Sequence, residues 1–442
     1  MEVGSARAQE SRKPRLAFTL TAIISLLAAC SGSTPTAAPT TAATQAQATT
    51  AATPAVGAEC NKPYDASILD PRPIKASLNP AVSHPDVSQL AANNGSGLMG
   101  GKPDQAPVWY DSIKITQAQV NQICALHLKA VYLDWADALY NQIFRSAMRQ
   151  TLQAMGIDLI RITSFSFNPS GLAGNLASVL PLHPDIIFTG GTIDTAQYAS
   201  LMQPAVDAGI QIITWGVAAD GWEIGQGKQI MSLVGYDWYQ LGRQMAIATH
   251  NAYPNGAKLG WLHWINNIKV IHLREQGFLD GLKDYPNIQV ISDGGPADPA
   301  GNNSGYSDPN AAEADSSAFI VRHPEVNVLF APWEDPPGLG EESAIKSTNN
   351  EGKIDIVTMD LGTAGATELA ANGTIKVDMA QDIYDGGRTE ALIVGLNAIH
   401  APIPAYVNVP TFATTTANLQ DAWDMMHGPE FPCPVANCPG GS

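Results

Sequence analysis

The sequence predicts an α/β protein with two doubly wound lobes, each built on a parallel sheet. From Lys129 onward, short apolar runs alternate with amphipathic runs of helical length, the pattern of repeated strand–helix units. About ten strands are predicted, more than one open sheet usually holds, so two lobes are implied. Two strands end at polar residues, Asp360 and Gln381. Ligands bind beyond the carboxyl ends of strands in such sheets, so these two residues are the first site candidates.

The elements follow in chain order. The predicted strands are Ala130–Leu133, Ile157–Ile162, Asp185–Thr189, Gln211–Trp215, Lys258–Leu262, Gln289–Ser292, Val326–Ala331, Ile354–Val357, Ile375–Ala380 and Tyr406–Pro410. The predicted helices are Tyr140–Met155, Leu172–Leu182, Ala196–Ala208, Trp238–Ala252, Val270–Leu282, Ala311–Arg322, Gly340–Lys346, Ala364–Ala371 and Ala391–Ile399. Gly373 is the expected left-handed residue after Ala364–Ala371, and Asp385-Gly386-Gly387 is expected to break the chain before the last helix.

The N-terminus indicates export. A basic stretch precedes the apolar run Leu16–Leu27, which is too short for an ordinary spanning helix. The run ends Leu27-Ala28-Ala29-Cys30, which resembles the lipobox of bacterial lipoproteins. The resemblance implies a signal peptide at 1–29, a lipidated Cys30, and anchoring to the outer face of the cytoplasmic membrane. Residues 30–58, rich in Thr, Ala and Pro, then form a flexible tether.

The net charge limits the possible partners of the protein, and the cysteine spacing limits the possible disulfide pairings. A net charge of −17, spread along 442 residues, argues against a nucleic-acid partner. Cys60, Cys124, Cys433 and Cys438 allow three disulfide pairings in an oxidising compartment. Cys433 and Cys438 would close a small loop by themselves, which leaves Cys60 with Cys124. A metal site is the alternative, but no His lies near Cys433 and Cys438, so structural disulfides are expected. Residues 59–127 form an N-terminal extension and 412–442 a C-terminal tail.

A series of motifs carries a family resemblance. They are His183–Phe188 with Ala208–Thr214, Val234–Asp237, Arg274–Phe278, His323–Ala331, Thr358–Asp360 and Ala380–Gln381. Their types and order resemble the type I periplasmic sugar-binding proteins, the ribose- and galactose-binding group that serves ABC importers. The resemblance covers about residues 129–412.

The resemblance implies two lobes joined by a three-strand hinge that close over a ligand. Lobe I would be 128–236 with 382–411, and lobe II 237–381. It also implies a monomer that binds a monosaccharide or polyol, passes it to an ABC permease, and uses no cofactor or metal.

The resemblance also proposes site positions. Asp360 and Gln381 match the family, and Tyr140 falls on its ring-stacking position. Other family hydrogen bonders are replaced, and two of these positions carry Trp, which favours a ligand larger, flatter or less polar than ribose. The candidate ligand-binding residues are Asp137, Tyr140, Asn141, Trp215, Asp220, His272, Arg274, Trp333, Glu334, Asp360 and Gln381, with Trp135, Asp194 and Trp264 as further candidates.

Three alternatives stay open. Glu334 and Asp360 could form a glycosidase-like carboxylate pair, but no GxSxG, HExxH or P-loop motif occurs in a supporting context, so a non-enzyme is predicted. A repressor effector domain shares this fold but needs a helix-turn-helix in front of the lobes. A sensory binding protein, or a nucleoside or autoinducer ligand, fits the same sequence.

Overall fold

The structure is a computed structural model. It describes residues 60–89, 102–103, 106–166, 168–190, 195–218, 221–265, 268–293, 305–306 and 311–441. All of these belong to one unit, Val56–Ser442. The predicted signal peptide and tether lie outside the described residues, as do Cys30, Asp194 and Asp220. Within the described ranges no helix is long and apolar enough to cross a membrane.

The first sheet has seven parallel strands. In spatial order they are Val108–Trp109, Tyr406–Asn408, Leu233–Gly235, Gln211–Trp215, Ile186–Gly190, Lys129–Asp134 and Asp158–Ser164. Ile186, Ile187 and Phe188 have no exposed surface. Such a continuous apolar run is expected of a central parallel strand, because helices cover both of its faces.

The second sheet has six strands, of which the last is antiparallel. In spatial order they are Ile288–Ile291, Ala257–Trp261, Val328–Phe330, Asp355–Met359, Ile375–Gln381 and Thr411–Thr414. Two short parallel pairs lie outside the two sheets: Lys102–Pro103 with Glu223–Ile224, and His263–Trp264 with Gly305–Tyr306.

Helices connect the strands. The α-helices are Ala66–Leu69, Pro80–Ser83, Gln117–Cys124, Leu139–Met155, Pro169–Val179, Thr195–Asp207, Trp238–Ala252, Lys269–Leu282, Ala312–Arg322, Leu339–Ser347, Thr363–Ala370, Ile383–Ala398 and Leu419–His427. The predicted α/β fold with parallel-sheet lobes is therefore confirmed.

Three crossings carry the chain between the sheets, after Gly235, after Gln381 and after Asn408. They hydrogen bond to one another: Val409 N donates to Gly235 O at 2.8 Å, and Asp382 N donates to Pro410 O at 3.1 Å. The crossings thus form one bonded ribbon between the lobes.

The structure corrects several local predictions. The last predicted helix begins at Ile383, with Gly386 and Gly387 inside it. Gly387 is tolerated because a Cβ there would lie 2.4 Å from Phe144 O on the neighbouring helix, so close packing needs glycine. The left-handed residue after Thr363–Ala370 is Asn372 (φ 51°) rather than Gly373.

The sequence analysis also predicted too few strands in the N-terminal extension and the C-terminal tail. The predicted extension contributes the strand Val108–Trp109, and the predicted tail begins inside the strand Thr411–Thr414. Strands of two to four residues give too little alternation to be recognised in sequence.

The four described cysteines form two pairs. The Cα atoms of Cys60 and Cys124 lie 5.7 Å apart, and those of Cys433 and Cys438 lie 6.3 Å apart. Both separations suit a disulfide. Disulfide formation remains a prediction.

Candidate ligand-binding site

The centre of the candidate site lies where two neighbouring strands of the second sheet end. Asp360 directly follows the strand Asp355–Met359, and Gln381 closes the strand Ile375–Gln381 beside it. Gln381 Nε2 donates a hydrogen bond to Asp360 Oδ1. Asp360 has a φ of 89°, a left-handed value that costs a non-glycine residue free energy. Such strain is concentrated at functional sites, which agrees with a ligand site here.

Arg274 adds a positive charge to this centre. Its Nη1 lies 3.0 Å from Asp360 Oδ1 and 3.3 Å from Oδ2. The guanidinium carbon also lies 4.7 Å from the ring centroid of Trp238, within cation–π range. Arg274 is only 5% exposed, and within the described residues its Nε has no hydrogen-bond partner. One buried donor therefore remains for a ligand.

A close helix crossing holds Arg274 in place. The helix Lys269–Leu282 packs against Trp238–Ala252 through glycines on both sides. A Cβ at Gly277 would lie 1.9 Å from Tyr239 O, and one at Gly242 would lie 2.0 Å from Arg274 O. Only glycine permits this approach, which brings Arg274 over Trp238.

The first sheet contributes an aromatic group to the same centre. Trp215 Nε1 donates to the Tyr140 hydroxyl at 3.3 Å, and that hydroxyl lies 3.4 Å from Gln381 Oε1 and 3.3 Å from the Tyr236 hydroxyl. Burial raises the pKa of Tyr140, so its hydroxyl stays protonated and can donate. Trp135 packs edge-on against Tyr140.

These contacts join into one chain of hydrogen bonds. It runs from Trp215 through Tyr140 and Gln381 to Asp360 and Arg274. Trp215 comes from the first sheet and Tyr140 from the helix Leu139–Met155 beside it, whereas the last three members come from the second sheet, the residue after its strand Asp355–Met359, and the helix Lys269–Leu282. Polar groups of both lobes therefore converge at the hinge crossing.

A second aromatic group lies beyond the strand ends of the second sheet. Trp333, which follows the strand Val328–Phe330, meets Trp264 edge-on with ring centroids 5.1 Å apart. Among the described residues the buried Trp264 Nε1 has no partner. His272 belongs to the same wall: its Nδ1 lies 3.3 Å from Glu275 Oε2, and Glu275 Oε1 accepts from Trp264 N at 2.6 Å.

Two further candidates do not join the hydrogen-bond chain. Asp137 is 71% exposed and pairs with Arg145 at 2.6 Å. Asn141 is buried, and its Nδ2 donates to Asp134 Oδ1 at 2.6 Å. Asn141 is next to Tyr140 on the helix, and adjacent helix residues point in different directions, whereas Asp137 lies before the helix begins.

Glu334 is used by the backbone. It accepts hydrogen bonds from Gly362 N and from Gly365 N, the latter at 2.9 Å, at the N-terminus of the helix Thr363–Ala370. These amides have no partner within the helix, so a carboxylate stabilises them. Burial raises the pKa of Glu334. Burial also raises the pKa of its hydrogen-bonded neighbour Asp378. Glu334 thus supports the loop after Asp360.

Sequence reasoning missed Tyr236 and Trp238. Both follow the strand Leu233–Gly235, so the rule that selected Asp360 would also have selected them. Within the described part of the chain, no group of three or more His, Cys, Asp or Glu residues could hold a metal ion.

The comparison with protein families decides the class. The sequence model of the periplasmic binding protein domain matches residues 130–392. The chain belongs to this family. Periplasmic binding proteins bind solutes outside the cytoplasm and do no chemistry on them, so the predicted resemblance and the prediction of a non-enzyme are confirmed.

Solved structures of periplasmic binding proteins share the fold. An ABC transporter solute-binding protein from Agrobacterium vitis bound with α-D-tagatopyranose is 20% identical, with a TM-score of 0.58 over 68% of this chain and 100% of that chain. One from Actinobacillus succinogenes with bound D-allose is 18% identical (TM-score 0.55; 66% and 99% covered). Another from Agrobacterium vitis with bound allitol is 15% identical (0.55; 66% and 96%). A search of curated proteins finds no match.

Proposed function

We propose that this periplasmic binding protein captures a monosaccharide or polyol between its lobes and delivers it to an ABC permease. Lobe I would comprise 128–236 with 382–411, and lobe II 237–381. The observation that carries the proposal is the hydrogen-bond chain from Trp215 to Arg274, which takes groups from both lobes.

The chemistry of the site suits hydroxyl groups. Each sugar hydroxyl both donates and accepts, and the site offers a carboxylate acceptor, an amide that does both, and a guanidinium donor in Asp360, Gln381 and Arg274. Tyr140, Trp215 and Trp333 offer apolar ring faces near these groups. The sugars and the polyol named with the related structures support the same class.

Binding would favour lobe closure. A hydroxyl that inserts between Gln381 and Asp360 exchanges a bond within the protein for two bonds to ligand. A ligand that contacts both lobes only when they are close shifts the population toward the closed form, the form that a permease would recognise. His272 and Trp333 would then contact the distal part of the ligand.

The protein would work from the outer face of the membrane. We propose a lipid anchor on Cys30, the tether 30–58, and disulfides that hold the N-terminal extension and the C-terminal tail. A monomer with no cofactor would be sufficient for this role.

The test measures the melting temperature of residues 59–442 against pentoses, hexoses, polyols and nucleosides. A true ligand raises stability with its concentration, by about 2.7 kcal/mol at a hundredfold excess over its dissociation constant. Asp360→Asn should abolish the shift, whereas Asp137→Asn, at an exposed position outside the hydrogen-bond chain, should keep it. A shift with nucleosides alone would refute the sugar ligand and keep the binding role.

Transport and sensing are separated by a deletion. If the protein serves import, cells that lack it should lose uptake of the ligand. Normal uptake with a lost transcriptional or motile response would favour the sensory alternative.

A further inference from the structure

An N-terminal segment, Cys60–Gln89, lies before the region that matches the family and reaches the hinge. Arg72 Nε donates to Asp385 Oδ2 at 2.8 Å, and its Nη2 donates to Asp382 Oδ1 at 2.8 Å. Its Nη1 also donates to Asp424 O at 2.8 Å, and Nη2 to Met425 O. All three guanidinium nitrogens therefore bind the main body.

The partners of Arg72 lie at a hinge crossing. Asp382 directly follows Gln381, the residue that bonds Asp360 in the candidate site. Asp382 Oδ1 also accepts from Asp385 N at 3.1 Å and so caps the helix Ile383–Ala398. One carboxylate oxygen therefore joins the extension to the point where the chain passes from the second sheet to lobe I.

Arg72 contacts two buried carboxyl groups at this point. Asp382 and Asp385 have no exposed surface. Arg388 Nε pairs with Asp385 at 2.5 Å, and among the described residues Arg72 is the cation in contact with Asp382. Burying a carboxyl group without its hydrogen-bonded cation is costly, so loss of Arg72 would remove a stabilising contact from this crossing.

The rest of the segment contacts elements on both sides of the crossing. On the lobe II side, Gln244 Nε2 of the helix Trp238–Ala252 donates to Val82 O at 2.8 Å. On the lobe I side, Trp109 Nε1, from the edge strand of the first sheet, donates to Pro85 O at 2.8 Å. The segment therefore spans the hinge.

We propose that Arg72 is a positioning residue for ligand binding: it fixes the crossing that presents Gln381 to Asp360, and the segment Cys60–Gln89 restricts the relative motion of the lobes. The effect on affinity rests on the proposed function, whereas the effect on lobe motion does not.

The experiment uses the full-length protein, purified from membranes in mild detergent. Spin labels at Ala177→Cys and Val321→Cys report the distance between exposed helices of the two lobes. Without sugar, Arg72→Gln should broaden the distance distribution. With the sugar that gives the largest thermal shift, it should raise the dissociation constant at least about fivefold, the lower end of typical coupling between sites. Arg72→Lys should show smaller changes in both the distance distribution and the dissociation constant, because it keeps the positive charge.

The control is Lys75→Gln. Lys75 Nζ pairs with Asp421 at 2.6 Å, also between the segment and the main body, but does not contact Asp382 or Asp385. This variant should keep both the distance distribution and the affinity. If Arg72→Gln does not fold, Arg72→Gln combined with Asp382→Asn also replaces the carboxyl group that Arg72 contacts, and this variant is judged by the same criteria.

An unchanged distance distribution and affinity in the folded Arg72 variant would overturn the proposal. Equal effects of Lys75→Gln would also overturn it, since docking of the segment alone would then explain the result. If no sugar binds the unsubstituted protein, the proposed function fails, but the distance measurement still decides the role of Arg72 in lobe motion.

Discussion

Replacing Arg274 with methionine tests whether the Arg274–Asp360 pair holds the ligand. Methionine keeps an unbranched apolar stem and removes the charge and the donors. Truncating a charged residue that hydrogen-bonds across a binding interface costs about 2–5 kcal/mol of binding free energy, and Arg274 would be such a residue toward the ligand. Asp360 is 28% exposed, so water screens the pair and the low end applies. A loss of about 2 kcal/mol raises the dissociation constant roughly 30-fold.

The assay is titration calorimetry on Arg274→Met, Asp360→Asn and the double variant. The two single losses should be non-additive, because the residues share one interaction. Arg243→Met is the matched control: Arg243 pairs with Asp284 at 2.9 Å on the surface, and its loss should leave affinity unchanged. A change below about twofold in Arg274→Met, the scatter of independent sites, would refute the assignment of this pair to the ligand.

Three further predictions concern stability, each measured by unfolding. Gly277→Ala should cost about 1–3 kcal/mol, because its Cβ would meet Tyr239 O, whereas Gly174→Ala, with open space around it, should be neutral or slightly stabilising. Burial raises the pKa of Glu390, whose carboxyl oxygens have no partner among the described residues. The folded state therefore binds a proton more tightly than the unfolded state and loses stability as pH rises above about 4.3. Glu390→Met should therefore stabilise the protein by about 1–3 kcal/mol at pH 8 and by less at pH 4. A stabilisation that does not depend on pH would contradict this. Burial lowers the pKa of His427 to about 3. Only the unfolded state then gains a proton as pH falls through about 6.5, so stability should drop by up to about 1.4 kcal/mol per pH unit, and His427→Gln should lack this contribution.

Local patterns were sufficient for most of the fold. The strand Ile375–Gln381 was predicted to end at its polar residue, because an apolar run and the residue that ends it are neighbours in the chain. The helix Ile383–Ala398 shows where such reasoning fails. Two adjacent glycines indicate a break, yet both lie within the helix and are needed for packing, because a Cβ at Gly386 would meet the Trp215 ring and one at Gly387 would meet the Phe144 backbone.

The site divides in the same way. Asp360 and Gln381 could be paired in advance, since parallel strands end at one edge of a sheet. The role of Glu334 could not be predicted, because it accepts hydrogen bonds from backbone amides 28 and 31 residues away rather than from a ligand. A strand-end carboxylate has the same sequence signal in both roles.

The sequence alone determined the order of the longer strands and helices, the strand ends that carry polar groups, and the family to which they point, because each depends on residues close together in the chain. Tertiary structure decided which polar groups face one another. Arg72 and Asp382 are 310 residues apart and meet only when both lobes and the N-terminal extension are packed. No periodicity encodes such a pair, since its free energy comes from burial and charge that exist only in the folded protein.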